Sequence, residues 1–269
     1  MLTLRSNREI RLMRRAGLVV WLAHQEAAKH VRPGATTAQI DAAVASVFQR
    51  FDATPLFLNF PGPVPFPAVT CISVNDEVVH GIPGPRVLQS GDVVSIDTGC
   101  RVNGWCGDAA VTHPVGEIAP RTRQLLDVTS GVLQLAIDLL GAKQRWSEVA
   151  GRMDEMVIAA GFSSVRQFVG HGIGREMHEE PQVPNYVSDE LLKEDIAIRP
   201  GLVLAIEPMV NLGRADVECL DDQWTQVTQD GQPSAHFEHT VAVTREGVRV
   251  LTAPPSTDEE FEFLGITPP

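Results

Sequence analysis

Two aspartates, Asp97 and Asp108, stand in neighbouring strand-like stretches and raise the question of what this chain does. Asp97 follows the apolar run Val93-Val94-Ser95-Ile96, and Asp108 lies in Trp105 to Thr112, beyond Arg101-Val102-Asn103-Gly104. These stretches read as a β-hairpin. If 101–104 form the loop, the two aspartates sit directly opposite each other. If Asn103-Gly104 alone turn the chain, Asp97 pairs with Ala110 and Asp108 is diagonal to it. Strand side chains alternate, so both carboxylates share one face in either case. Like charges on a half-buried strand pair repel, and only Arg101 offers a nearby cation, so a divalent metal ion is the natural compensation. Three more residues of ligand type occupy similar settings. His171 lies in Gly170-His171-Gly172-Ile173-Gly174, Glu207 ends Val203-Leu204-Ala205-Ile206, and Glu238 opens a strand after His236-Phe237. Four carboxylates and one imidazole suit two divalent ions of the Mn, Co, Fe or Zn type with bridging carboxylates.

The elements that must position these groups can be read from periodicity. Apolar or small residues at Ile10, Met13, Gly17, Val20, His24, Ala27 and Val31 mark an amphipathic helix, capped by Ser6 or Asn7 and stopped at Pro33-Gly34. A second helix runs from Thr36-Thr37 to about Phe51. Pro55 to Pro67, rich in Pro, Gly and Phe, is a long loop, and loops of that length usually carry a function. Strands are expected at Ala68–Val74, Val93–Gly99, Trp105–Thr112, 202–206, 238–244 and 248–252. Helices are expected at 121–140 and 147–160, the latter capped by Ser147 and ended by Gly161. The acidic stretch Thr257 to Phe263 is expected at the periphery. No repeat, linker or low-complexity tract divides the chain, which reads as one α+β domain.

Composition excludes several classes. The 269 residues carry a formal charge of −12, which argues against a protein that works by gripping phosphate backbones. No apolar run approaches the roughly 18 residues of a membrane span, and the start lacks a secretory signal pattern. Cys71, Cys100, Cys106 and Cys219 form neither a disulfide scaffold nor a zinc-finger pattern. A cytoplasmic, reducing environment is expected. Against the overall acidity, the first helical region up to Arg32 holds Arg5, Arg8, Arg11, Arg14, Arg15, Lys29 and Arg32 but only Glu9 and Glu26 as acids. It reads either as a solvated face or as a docking face for an anionic partner.

The motifs themselves carry a resemblance. They run Cys71-Ile72-Ser73-Val74-Asn75, Val79-His80-Gly81-Ile82-Pro83, Gly91-Asp92-Val93-Val94-Ser95-Ile96-Asp97 and Gly107-Asp108, then Gly170-His171-Gly172-Ile173-Gly174-Arg175, His178-Glu179-Glu180-Pro181, Ile206-Glu207-Pro208-Met209 and Glu238-His239-Thr240. In this order they resemble the type I methionine aminopeptidases of the pita-bread fold over nearly the whole chain. The resemblance implies an antiparallel central sheet flanked by helices, with an internal pseudo-twofold. It implies a single catalytic domain over 1–269, with no N-terminal extension domain and no type II insertion. It makes Asp97 the bidentate ligand of one ion, Asp108 and Glu238 the bridges, and His171 with Glu207 the ligands of the other. His80 would lie near the scissile amide nitrogen, His178 would hydrogen-bond the substrate carbonyl, and Glu207 would shuttle a proton. A structural monovalent cation near Asn75 is also implied. The implied reaction is removal of an N-terminal methionine from a nascent chain or peptide with a small second residue, by attack of a metal-bridged hydroxide. The implied partner is the nascent chain; the basic first helix suggests, separately, docking near nascent chains on the ribosome. The protein would be a monomer.

The substrate pocket departs from the family pattern more than the metal ligands do. Phe60, Phe66, Cys71, Met177 and Trp224 are its expected lining, with His80 and His178. Phe60 replaces a smaller residue and Met177 replaces Phe, while Pro63, in Gly62-Pro63-Val64-Pro65-Phe66, stands where an aromatic is expected. Cys71, Phe66 and Trp224 keep the expected character. Cys106 replaces a histidine before Gly107-Asp108. A Met-and-aromatic pocket suits a thioether through sulfur–aromatic contact. Two other readings remain at this point. One is a prolidase or Xaa-Pro aminopeptidase of the same fold, relatives of which carry an extra N-terminal domain. The other is a pita-bread module that binds peptide ends without cutting them.

Overall fold

The computed structural model describes residues 2–268, so Met1 and Pro269, the ends of the expected domain, lie outside the described residues. Its helices are α1 (Asn7–Ala28), α2 (Thr37–Arg50), α3 (Pro120–Leu140), α4 (Trp146–Ala159), α5 (Asp189–Lys193) and α6 (Asp258–Leu264). The strands in chain order are β1 (Thr54–Pro55), β2 (Cys71–Val74), β3 (Glu77–Val79), β4 (Val93–Val102), β5 (Trp105–Pro114), β6 (Ser163–Ser164), β7 (Gly170–Gly172) and β8 (Glu179–Val183). They continue with β9 (Val203–Ile206), β10 (Met209–Asn211), β11 (Val217–Cys219), β12 (Gln226–Thr228), β13 (Ser234–His236), β14 (Glu238–Thr244) and β15 (Gly247–Val250).

One antiparallel sheet organises the molecule. Its order is β1-β4-β5-β14-β9-β7-β8, with β2 added to β4 and β15 to β14. The plan is repeated: the pair α1 and α2 precedes the β4–β5 hairpin, and the pair α3 and α4 precedes the strands β7, β9 and β14. Each pair buries its own apolar core. Ala16, Val20, Ile40 and Phe48 pack with Ile96 and Ala109, while Leu125, Leu133, Trp146 and Met153 pack with Leu204, Ile206 and Val241. Two small three-stranded sheets, β13-β10-β6 and β11-β12-β3, accompany the central one. This is the expected α+β, antiparallel, two-halved architecture.

Local chemistry explains the element ends. Ser6 and Glu9 form a capping box on α1, and Thr36 with Gln39 forms one on α2. Pro120 sits at the start of α3, where its missing N–H is harmless. Asn103 and Gly104 both have positive φ, 50° and 77°, as a two-residue hairpin turn requires. That turn settles the register: Val102 faces Trp105, Asp97 faces Ala110, and Asp108 faces Gly99.

Several boundaries differ from the sequence reading. The strand expected from Ala68 begins only at Cys71, because Val69 and Thr70 donate their backbone N–H groups to Asp41 instead of a ladder. The first helix ends at Ala28, before Pro33, and α4 starts at Trp146 rather than after a Ser147 cap. The Ser147 hydroxyl donates to Asp195 at 2.7 Å, and Glu148 instead accepts the backbone N–H groups of Gln144 and Arg145 at the helix start. Gly161, at φ 73°, follows α4 as expected.

The acidic C-terminal stretch lies at the surface, as expected, but it is folded and packed on α1. It forms α6, whose Leu264 is buried in the α1–α2 core and whose Phe263 lies against Phe51 with centroids 5.7 Å apart. Glu260 pairs with Arg14 at 2.7 Å, and the same guanidinium donates to the carbonyls of Leu251, Ala253 and Pro254. Arg15 lies 3.7 Å from Glu259, Arg5 pairs with Glu179, and Lys29 pairs with Glu26. Four of the seven basic residues of the first helical region are therefore matched within the fold, leaving Arg8, Arg11 and Arg32 exposed without an ion pair among the described residues, the first two along a groove between α1 and the C-terminal segment.

Candidate active site

The sheet register brings the carboxylates together. Cys71 on β2, Asp97 on β4, Ala110 on β5 and Glu238 on β14 are cross-strand partners in one row. Their side chains share a face, and Asp108, two residues from Ala110, joins them. The intervening residues Ile96 and Ala109 point into the α1–α2 core. Two small residues make the room. Ala110 places only a methyl between Asp97 and Glu238, and a Cβ at Gly99 would approach Asp108 Oδ1 to 2.8 Å. His171 on β7 and Glu207 at the end of β9 close the group from the other half. Glu207 Oε1 lies 3.5 Å from His171 Nε2, and His171 Nδ1 faces the Gly172 carbonyl at 2.9 Å, which turns Nε2 toward the carboxylates.

This cluster is short of positive charge. Asp97 Oδ1, Asp108 Oδ1 and Glu238 Oε1 are buried without a hydrogen-bond partner. Burial first, and the neighbouring carboxylates second, push all three pKa values well above the ordinary range. Atoms of Asp108, His171 and Glu238 lie within 4.8 Å of one another, a spacing that one metal ion could bridge. A divalent cation would relieve both the desolvation and the repulsion, so the residues present fit a metal site. Asp97 and Glu207 fall outside that three-residue group but line the same cavity.

The cavity has a volume of about 140 Å³ and one apolar wall. Phe60, Phe66, Cys71, Met177 and Trp224 line it together with His80 and His178. Phe57 also lines it, which its unpatterned place in the 55–67 loop did not disclose. The aromatic rings meet edge to face: Phe66 and Trp224 at 5.3 Å, and Phe60 and His178 at 5.5 Å between centroids. Trp224 holds the loop in place, since its Nε1 donates to the Val64 carbonyl at 2.8 Å and its ring fills the space over Gly62. Pro63 is exposed and is not part of the wall, so that departure leaves the pocket unchanged.

The two outer histidines flank the ligands. The His178 ring packs perpendicular to His171 at 4.5 Å, and burial with the adjacent imidazole lowers its pKa to about 4. His80 adopts a left-handed φ of 61°, a strained conformation for a residue with a Cβ, fixed where Gly81 N–H donates to Ser73 Oγ. Burial lowers the His80 pKa to about 4 as well. Both are therefore neutral at pH 7, each with one N–H to donate and one lone pair. A wider cleft of about 460 Å³ shares His80, Asp97, His171, His178 and Glu207 with the small cavity and opens past Phe168, Glu180 and Gln182.

Cys106 is buried, and its thiol donates to the Arg175 carbonyl at 3.3 Å, away from the cavity. Near Asn75, the side-chain amide donates to Asp92 at 2.9 Å and its oxygen accepts from Val93 N–H, while the Asn75 carbonyl accepts from Ser234 N–H.

Comparison with known proteins agrees with this geometry. Residues 11–245 match metallopeptidase family M24. The methionine aminopeptidase 1 of Bacillus subtilis (strain 168) is 42% identical over 94% of this chain and 99% of its own length. The methionine aminopeptidase of Clostridium perfringens is 43% identical over similar shares, 94% and 99%. Among solved structures, the methionine aminopeptidase of Thermotoga maritima superposes with a TM-score of 0.88 at 41% identity, covering 94% of this chain and 99% of that one. A prolidase from Pyrococcus furiosus shares the fold, with a TM-score of 0.73 at 20% identity over 94% of this chain and 66% of its own. With its strand-held carboxylates and its matched span, this chain belongs to metallopeptidase family M24.

Proposed function

We propose that this metallopeptidase is a methionine aminopeptidase. One observation carries the reading: a cavity sized for a single side chain, walled by aromatic rings and a methionine, runs directly into the acid cluster. A volume of about 140 Å³ suits a single unbranched side chain, and the acidic end of the cavity is shared with the wider cleft. The full-length similarity to proteins named methionine aminopeptidase supports the same choice. The prolidase reading has only the shared fold behind it. A binding module without catalysis would not need three partnerless buried carboxylates, which raise the free energy of the metal-free fold.

In this reading, Asp97, Asp108, His171, Glu207 and Glu238 hold two divalent ions, of the Co, Mn, Fe or Zn type. Bound there, the ions would lower the pKa of a coordinated water and polarise the substrate carbonyl. The chain supplies the rest. Phe57, Phe60, Phe66, Met177 and Trp224 enclose the first side chain through apolar and sulfur–aromatic contact. His178, neutral, donates its N–H to the carbonyl oxygen as negative charge develops there. His80 faces the scissile nitrogen, and Glu207 carries the proton from water to the departing amine. The rest of the peptide leaves through the wider cleft, where a small second residue clears His80 and His178. An acylated N-terminus would lose the free amine that the acid cluster attracts.

We read the described residues as one catalytic domain acting as a monomer in the cytoplasm, and place a structural monovalent cation beside the Asn75 carbonyl. Docking on ribosomes through Arg8, Arg11 and Arg15 is also proposed. All three are exposed and line the groove between α1 and the C-terminal segment, Arg15 beside Glu259. Co-sedimentation with ribosomes should fall with salt and disappear when the three are neutralised; unchanged sedimentation of that variant would sink the idea. The activity itself is tested by stripping metal with a chelator. Cleavage of a Met-Ala-Ser peptide should vanish and return with Mn²⁺ or Co²⁺, and a metal-free protein that cleaves equally well would refute the mechanism.

A further inference from the structure

His236, on β13, belongs neither to the five proposed ligands nor to the pocket wall. Its side chain is almost completely buried, at 2% exposure, and Nε2 has no hydrogen-bond partner. That nitrogen lies 3.6 Å from Glu207 Oε2, while Glu207 Oε1 lies 3.5 Å from His171 Nε2. The Glu207 carboxylate is thus held between two imidazole nitrogens, one a proposed metal ligand and the other free. A separation of 3.6 Å is longer than a hydrogen bond, yet a small rotation of the Glu207 side chain would close it.

The backbone beneath His236 is fixed. Its N–H donates to Thr112 Oγ1 at 2.8 Å, the Thr112 hydroxyl donates to the His236 carbonyl at 2.7 Å, and Ser95 Oγ lies 2.8 Å from the same hydroxyl. The backbone of Glu207 is held too, since Asn185 Nδ2 donates to its carbonyl at 3.1 Å and Pro208 follows it. Only the Glu207 carboxylate orientation is left open, and a metal-binding carboxylate is ordinarily oriented by a hydrogen bond to its other oxygen. We propose that His236 is a positioning residue: its Nε2–H donates to Glu207 Oε2 and presents Oε1, beside His171 Nε2, to the metal. The inference rests on the proposed metal-binding role of Glu207.

The test is calorimetric titration of metal-free protein with Mn²⁺, on wild type, His236→Leu and His236→Gln, with unfolding monitored in parallel. Removing such a partner should weaken one Mn²⁺ site about 10–100-fold in His236→Leu. The amide of His236→Gln reaches as far and keeps an N–H donor, so it should recover most of that affinity. On Met-Ala-Ser, kcat should fall in the Leu variant with KM nearly unchanged. A folded His236→Leu with wild-type Mn²⁺ affinity overturns the inference, as does a folded His236→Gln as weak as the Leu variant. Should the Leu variant fail to fold, His236→Asn replaces it, because its shorter amide falls short of Glu207 and should show the same loss; wild-type affinity in that variant also overturns the role. Wild-type protein that takes up no Mn²⁺ would instead refute the metal-binding role of Glu207, and the inference with it.

Discussion

The two sides of the cavity are built in different ways. The acidic side is set by strand register: Asp97, Ala110 and Glu238 occupy one row across three paired strands, the first two paired on both sides and Glu238 paired with Ala110 at the start of β14. The apolar side is set by loops: Phe57, Phe60 and Phe66 come from a segment without regular structure, clamped by Trp224 from another loop. A residue in a ladder cannot shift by one position without turning its side chain to the other face. A loop side chain can be exchanged with little effect on its neighbours' backbone. The lesson is that the chemistry is anchored where substitution is least tolerated, and substrate choice sits where it is most easily altered.

That contrast orders the expected effects of substitution. The largest is on the acidic side. Asp108→Asn should lower kcat/KM by roughly 10³-fold, since several kcal/mol of charge stabilisation are lost. The same change should raise the melting temperature of the metal-free protein, because it removes one of three mutually repelling buried carboxylates. A drop in that temperature would break the link between register and stored repulsion. His178→Ala comes next, with a loss of about 10²–10³-fold in kcat on Met-Ala-Ser and little change in Mn²⁺ affinity measured by titration.

On the apolar side the effects should be smaller and of another kind. Met177→Ala should shift the preference for methionine over leucine at the first position by about 10–100-fold while leaving bound metal unchanged, as elemental analysis would read. Pro63→Tyr should change neither within about twofold, because Pro63 is exposed outside the wall.

A further, smaller effect concerns the far side of the sheet. Burial holds His24, His113 and His239 near a pKa of about 4, below the ordinary value of 6.5 that they regain on unfolding. Above pH 6.5 they are neutral in both states and make no difference. As pH falls from about 6.5 to about 4 the unfolded chain takes up protons that the folded chain refuses, so stability is lost through that window. His24→Gln, which can keep the hydrogen bond to the Ala109 carbonyl, should flatten the loss by one proton's slope, about 1.4 kcal/mol per pH unit, in urea titrations.

Much of this was legible in the sequence for the same reason that the acidic side is rigid. Alternation along a strand is a local signal, so Asp97 and Asp108 could be placed on one face before their register was known, and Asn103-Gly104 allowed the turn that fixed it. The capping residues Ser6 and Thr36 were equally local. What was not legible depends on contacts between distant segments. Phe57 reaches the cavity because Trp224 clamps its loop, and nothing near Phe57 announces that. Glu260 finds Arg14 across 246 residues of chain, which turned an expected acidic tail into a packed helix and removed much of the apparent basic face. His236 stands two residues before Glu238, yet its proximity to Glu207 arises only when β10 and β13 pair, Met209 facing His236.

The most direct measurement of the whole account is a competition on the metal-loaded protein. Equal amounts of Met-Ala-Ser, N-acetyl-Met-Ala-Ser and Ala-Pro-Ser peptides are mixed with Mn²⁺-reconstituted enzyme, and released residues are followed by mass spectrometry. The account predicts rapid release of methionine from Met-Ala-Ser alone. Preferential consumption of Ala-Pro-Ser, or metal uptake with none of the three cut, would contradict it.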